Sequence, residues 1–75
     1  MQSRLSSVPV GRRVKLVSIN GGRHLMRRLR ALGLSVGDEI DVLHHRGGGV
    51  VVGKNGNRVA LGGSIAEKLM IEEHD

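Results

Sequence analysis

The stretch HLMRRLRALGLSVGDEIDVL, residues 24–43, changes its hydrophobic period partway along, and that change decides the fold. Leu25, Leu29 and Leu32 stand at i, i+4 and i+7, the spacing of one helical face. DEIDVLHH, residues 38–45, alternates instead, with Ile40 and Val42 on one face and Asp41 on the other, which is the period of a strand. Leu32, Gly33 and Leu34 form the junction. Gly33 suits the left-handed C′ position that ends a helix, and Leu34 at C″ then closes on Leu29 at C3. The helix so defined starts at Arg23 and has about three turns.

Upstream, RRVKLVSI at residues 12–19 mixes β-branched and apolar residues with bases, as a first strand does; Gly11 turns into it, and Asn20, Gly21 and Gly22 break it. Downstream, Gly37 makes the turn into DEIDVLHH, and Gly47, Gly48 and Gly49 read as a flexible connection to a third strand at residues 50–54. Asn55 and Gly56 are a type I′ hairpin signal, because both central residues of that turn need positive φ, and a fourth strand follows at residues 58–61. Gly62 and Gly63 end it, Ser64 is placed to cap a single helical turn with Glu67 in the capping-box position, and residues 69–73 make a fifth short strand. The expected order is strand, helix, three strands, helical turn, strand, in a single domain over residues 1–75 with residues 1–8 partly disordered.

VGRRVKLV at residues 10–17 mirrors VGDEIDVL at residues 36–43, with bases in the first where acids stand in the second. Both segments are turn-initiated alternating strands. Either that is all they share, or they neighbour each other in one sheet, so that opposite charges pair across the strands at about 0.2 to 1 kcal/mol each.

A chain of 75 residues buries only about 60 to 65% of its unfolded surface, so the core is thin. With no cysteine, neither disulfides nor thiolate metal sites reinforce it, and packing must suffice. The longest apolar runs are about three residues, such as Val50 to Val52, far below the roughly 18 of a membrane span, and the N-terminus has no apolar signal-peptide core. The expected location is the cytoplasm, without membrane insertion. The net charge of +5 divides into +8 for residues 1–37 and −3 for residues 38–75, which favours an anionic partner or attraction between the two halves. There is no Phe, Tyr or Trp, so base stacking on single-stranded nucleic acid and aromatic grooves for Pro-rich peptides are both disfavoured. Reading duplex phosphates with arginine alone remains open.

Catalysis finds no constellation: the serines fall in the N-terminus, strand, turn or cap without a neighbouring base, and Asp38, Glu39 and Asp41 cluster on a strand, where neighbours point to opposite faces and no paired carboxylate site is built. No cofactor is expected. The nitrogen ligands available to a metal are His24, His44, His45 and His74; His44 and His45 are adjacent in a strand and leave on opposite faces, so no dedicated site is expected. Asn20, Gly21 and Gly22 before the helix lack the lysine and spacing of a phosphate loop and read as a turn. The helix itself is the candidate surface. With its leucines inward, Arg23, Arg27 and Arg30 lie on the far side, Arg28 on one shoulder and Met26 at the rim, giving steering charges around an adaptable apolar contact.

LMRRLRALGLSVGDEIDVL, followed by GGGVVVGKNGNRVALGGSIAEKLMIEE, resembles the ferrous iron transport protein A family: a leucine-bearing helix turn with arginine, Leu-Gly-Leu, a glycine turn, an alternating strand, a hairpin, a helical turn and a last strand. The resemblance covers nearly the whole chain. It departs at Ser35, Val36 and Gly37, where the family often has Thr-Pro-Gly, and at Gly62, where it often has arginine. It implies a mainly β fold with short helices, a small SH3-like β-barrel with one helix inserted after the first strand and a short helical turn before the last. It also implies a non-enzymatic accessory protein of bacterial ferrous iron uptake that modulates the membrane iron permease carrying a GTP-binding domain, ferrous iron transport protein B; a monomer is expected. The expected contact residues are Arg23, Met26, Arg27 and Arg30 on the helix, with Met70 at the rim of the C-terminal turn. The alternatives are a basic SH3-like module on duplex nucleic acid and an iron-sensing regulatory domain like that of iron-dependent repressors.

Overall fold

The structure, a computed structural model, describes residues 2–73. Its elements are β1 (Gln2–Arg4), a 3-10 turn (Leu5–Ser7), β2 (Arg13–Ile19), α1 (Gly22–Ala31), β3 (Glu39–Arg46), β4 (Gly49–Lys54), β5 (Asn57–Leu61), α2 (Gly63–Ala66) and β6 (Leu69–Glu73). They form one six-stranded sheet in the order β1-β6-β2-β3-β4-β5, every neighbouring pair antiparallel. This is the expected SH3-like arrangement with its late helical turn, except that the inserted helix follows the second strand, because β1 precedes the strand expected to be first. The ladder is not closed between β5 and β1 among the described residues. The 3-10 turn packs against β4, β6 and α2 instead.

The inward faces of the strands build the core, as their alternation requires. Val14 and Leu16 of β2, Ile40 and Val42 of β3, and Leu69 and Ile71 of β6 are all buried. The two charge-swapped segments are indeed neighbours: Arg13 stands opposite Asp41, Val14 opposite Ile40 and Lys15 opposite Glu39. Lys15 also faces Glu72 on its other side. The basic and acidic halves of the sequence are thus folded together.

The end of α1 follows the glycine signal closely. Leu34 N–H donates to the Leu29 carbonyl at 2.8 Å and Gly33 N–H to the Arg30 carbonyl at 2.9 Å, the bond pair of a Schellman end. Gly33 holds φ at +91°, and Leu29 and Leu34 are both fully buried. Leu32, expected on the buried face, is 48% exposed. The helix proper stops at Ala31, and Leu34 takes the inward place that a continued helix would have given Leu32.

Three further expectations are corrected. Residues 2–8 contribute to the sheet and core: β1 pairs with β6, and Leu5 and Val8 are buried. The serines around them hide the pattern, and a core without aromatic rings needs both aliphatic side chains to fill the end of the sheet. Gly47 and Gly48, at φ +51° and +85°, make a tight turn that pairs Arg46 with Gly49, so the glycine run is a hairpin turn and not a flexible connection. A Cβ at Gly49 would lie 2.6 Å from the Leu61 carbonyl oxygen, which is why the strand begins on glycine. At α2 the N-cap is Gly62 with no side-chain hydrogen bond, so the Ser64 and Glu67 capping box is not formed. The Asn55–Gly56 turn is as expected, with φ of +50° and +83°.

Candidate functional site

Burying Leu25 and Leu29 fixes the rotation of α1 and leaves its opposite side to solvent. Arg23 is three and four residues from Met26 and Arg27, and Arg30 four and three residues beyond them, so the four share one side of the helix and line one shallow cleft. Met26 and Arg30 also border a second cleft with Ile19, Leu34, Ser35 and Val36. The two clefts meet at Met26 and Arg30; the first surrounds half-buried Met26 with guanidinium groups, and the second adds half-buried Ile19 and Val36, which is 50% exposed.

That frame is unfavourable for the helix itself. Arg23 stands in the first turn, at the positive end of the helix dipole, and repels Arg27 one turn on, each effect worth a few tenths of a kcal/mol. Only Arg28 and Arg30, in the last turn, are favourably placed. No hydrogen bond or ion pair among the described residues takes up the side chains of Arg23, Arg27 or Arg30. By contrast Arg12 pairs with Glu73 and Arg13 with Glu39, both at 3.8 Å.

Met70 is not with the helix residues. It lies half-buried on β6, opposite Ser18 of β2 and Arg4 of β1, and lines neither cleft. Ile19 and Val36 do line the second cleft and escape sequence reasoning. Val36 carried the only signal, an apolar residue in a glycine turn where burial has no need of it.

The segment carrying Val36 is held by Asp38. Its Oδ2 accepts the Ser35 N–H at 2.8 Å, the Ser35 hydroxyl at 3.3 Å and the Lys54 ammonium at 2.6 Å. The Lys54 hydrogen bond, more than any other influence, holds the Asp38 carboxyl below its ordinary pKa.

The histidines do not converge. His24 is exposed on α1 and His44 is exposed on β3, while His45 Nε2 donates to the Val8 carbonyl at 2.6 Å, so His45 ties the N-terminal segment to β3. His74 lies outside the described residues. No cluster of three or more His, Asp or Glu side chains able to hold a metal ion occurs among the described residues. No helix among them is long and apolar enough to cross a membrane.

Comparison with known proteins supplies the family. Residues 3–73 match the FeoA domain. A Fe(2+) transport protein A from Methanocaldococcus jannaschii is 30% identical over 63 residues, covering 84% of this chain and 77% of the relative. The crystal structure of an iron uptake regulatory protein, FeoA, superposes with a TM-score of 0.89 at 30% identity, over 99% of both chains. The FeoA protein of Chlorobium tepidum superposes at 0.84 with 27% identity, over 97% of this chain and 71% of that one. A manganese-dependent transcriptional repressor, at 21% identity, has the same fold over 37% of its length, with a TM-score of 0.88. With the family match spanning residues 3–73, the chain belongs to the FeoA domain family of ferrous iron transport accessory proteins.

Proposed function

We propose that this chain is a cytoplasmic, monomeric, non-enzymatic module that binds and modulates the membrane GTP-dependent ferrous iron permease, ferrous iron transport protein B, and that α1 is its docking face. The observation carrying this reading is the unpaired ridge of Arg23, Arg27 and Arg30 beside half-buried Met26 and exposed Val36. An interface needs a desolvated apolar centre and a charged rim that steers and orients, and this face offers both. Met26 supplies an unbranched, polarizable contact that adapts to its partner. Met70 is assigned a secondary contact on the neighbouring sheet surface.

A protein partner is favoured over duplex nucleic acid because much of the basic half is already engaged. Arg12 and Arg13 are ion-paired, and Lys15 lies between Glu39 and Glu72. Arg23, Arg27 and Arg30 border apolar side chains, which a phosphate backbone does not use.

The test is the double substitution Arg27→Glu and Arg30→Glu, measured for binding to the full-length permease in nanodiscs and for ferrous iron uptake. Both side chains are exposed, so the circular dichroism spectrum and melting temperature stay near those of the parent. Affinity falls by about tenfold or more and its salt dependence weakens. Unchanged binding and uptake would exclude α1 as the docking face.

A further inference from the structure

The sheet ends at β5, whose outer edge has no partner strand among the described residues. Across the two-residue Asn55–Gly56 turn, Lys54 and Asn57 form the first pair of the ladder, followed by Gly53 with Arg58, Val52 with Val59 and Val51 with Ala60. In a hairpin closed this way, hydrogen-bonded pairs alternate with non-bonded ones, starting bonded at the turn. Arg58 and Ala60 therefore turn their N–H and C=O groups away from β4. No backbone bond outside the ladder takes them up among the described residues. Their side chains are exposed while Val59 and Leu61 are buried, so the edge presents a regular strand template.

Beside that edge is a cationic cleft lined by His44, Arg46, Val51 and Arg58. A register shift in β3 between Val42 and His44 creates it. Without the shift His44 would share the inward face of Val42; with it, His44 stands opposite Val51 on the outer face. Val51 and Ala60 are short, so nothing tall separates Arg46 and His44 on β3 from the β5 edge. No described residue forms a hydrogen bond or ion pair with the side chains of His44, Arg46 or Arg58, and no carboxylate lines the cleft. A charged residue on an edge strand commonly discourages self-pairing, which accounts for Arg58 alone. It does not account for two more basic groups gathered from β3.

We propose that β5 accepts an extended acidic segment of a partner protein as an additional strand, whose backbone pairs with Arg58 and Ala60 and whose alternate carboxylates meet Arg58, Arg46 and His44. Main-chain pairing supplies affinity and the alternate side chains supply selectivity. The free N–H and C=O groups favour a polypeptide over a nucleic acid strand, which has no matching ladder. The site goes beyond the α1 reading and is independent of it, since α1 packs on β2 at another part of the sheet.

The probe is a fluorescent octapeptide alternating Glu and Thr, titrated into the full chain by polarisation and followed by amide NMR. Three controls accompany it: the Lys-Thr counterpart, a version N-methylated on alternate backbone nitrogens, and a duplex DNA oligonucleotide. The expected result is binding of the Glu-Thr peptide with amide shifts at Arg58 and Ala60, and about tenfold or greater weakening in Arg46→Glu/Arg58→Glu. The Lys-Thr and N-methylated peptides fail to bind. Undetectable binding of the Glu-Thr peptide, equal binding of its N-methylated form, shifts confined to α1, or tighter binding of the DNA to this face would each overturn the proposal. The N-methylated peptide leaves the protein untouched, so folding of the variant does not enter that arm.

Discussion

Lys54 Nζ lies 2.6 Å from Asp38 Oδ2 and 2.6 Å from the Gly33 carbonyl oxygen, so one ammonium on β4 fastens both the end of α1 and the residue leading into β3. The segment between Gly33 and Asp38 contains Val36, which lines the second cleft with Arg30. A contact on one side of the sheet thereby sets the shape of the proposed docking face. Without it, the Gly33 carbonyl, just past the helix stop, loses the ammonium that holds it to β4.

Replacing Lys54 with Met keeps most of the aliphatic stem and removes both hydrogen bonds. The side chains of Lys54 and Asp38 remain 25% and 20% exposed, so solvent screens part of the attraction, and the expected loss is about 1 kcal/mol. For a domain of this size that lowers the melting temperature by about 4 to 8 °C. A thermal melt of Lys54→Met that overlays the parent would show that the clasp positions the loop without stabilising the fold.

The same pair sets an acid limit. Because the folded-state pKa of Asp38 is lowered, chiefly by Lys54, the unfolded chain binds more protons than the folded one in the window between the two pKa values. The contribution of Asp38 is complete above its unfolded pKa of about 4 and disappears as pH falls through the folded value. Denaturant midpoints measured downward from pH 5 should fall less steeply in Asp38→Asn than in the parent. Equal slopes would mean that other carboxylates carry the acid sensitivity.

The core architecture was legible because each element announced itself locally. The switch of period inside residues 24–43, the Leu-Gly-Leu helix stop and the Asn-Gly hairpin all rest on neighbours in sequence, and all three are present. Pairing of the two charge-swapped segments was visible as complementarity, although only the folded register, Arg13 against Asp41, decided between chance and contact. What escaped depended on distant partners. β1 is a three-residue strand whose existence rests on β6, and Gly49 starts a strand because the Leu61 carbonyl crowds it. For the proposed docking surface, periodicity gave the ridge of Arg23, Met26, Arg27 and Arg30, whereas Val36 joins it through a turn and Met70 lies elsewhere.

Leu29 and Leu32 provide a direct check on the rotation of α1. Leu29 is fully buried and Leu32 is 48% exposed although both were candidates for one face. Leu29→Ala should cost about 2 to 5 kcal/mol through lost burial and the cavity left behind, enough to threaten folding of so small a domain. Leu32→Ala should stay within about 0.5 kcal/mol. Comparable destabilisation by the two substitutions, read from urea denaturation, would mean that the helix continues through Leu32 with that residue facing inward.

Two glycines separate backbone strain from crowding. At Gly33 an added methyl meets no atom within 4 Å, but φ is +91°, so Gly33→Ala should cost about 1 to 2 kcal/mol of conformational strain alone. At Gly49 the backbone has no such constraint, yet the methyl would sit 2.6 Å from the Leu61 carbonyl oxygen and 3.2 Å from that of Arg46. Relief requires the β3–β4 turn to move away from the end of β5, at a cost of about 1 to 3 kcal/mol. The two costs overlap, so amide shifts distinguish them better than stability does. Gly33→Ala should perturb residues at the end of α1, including the Leu34 N–H that bonds to Leu29, and leave β5 alone. Gly49→Ala should shift Arg46, Leu61 and Gly62, and through them the β5 edge offered to an added strand. Shifts confined to Gly49 and its chain neighbours would mean that the close approach of the hairpin to β5 is not kept in solution.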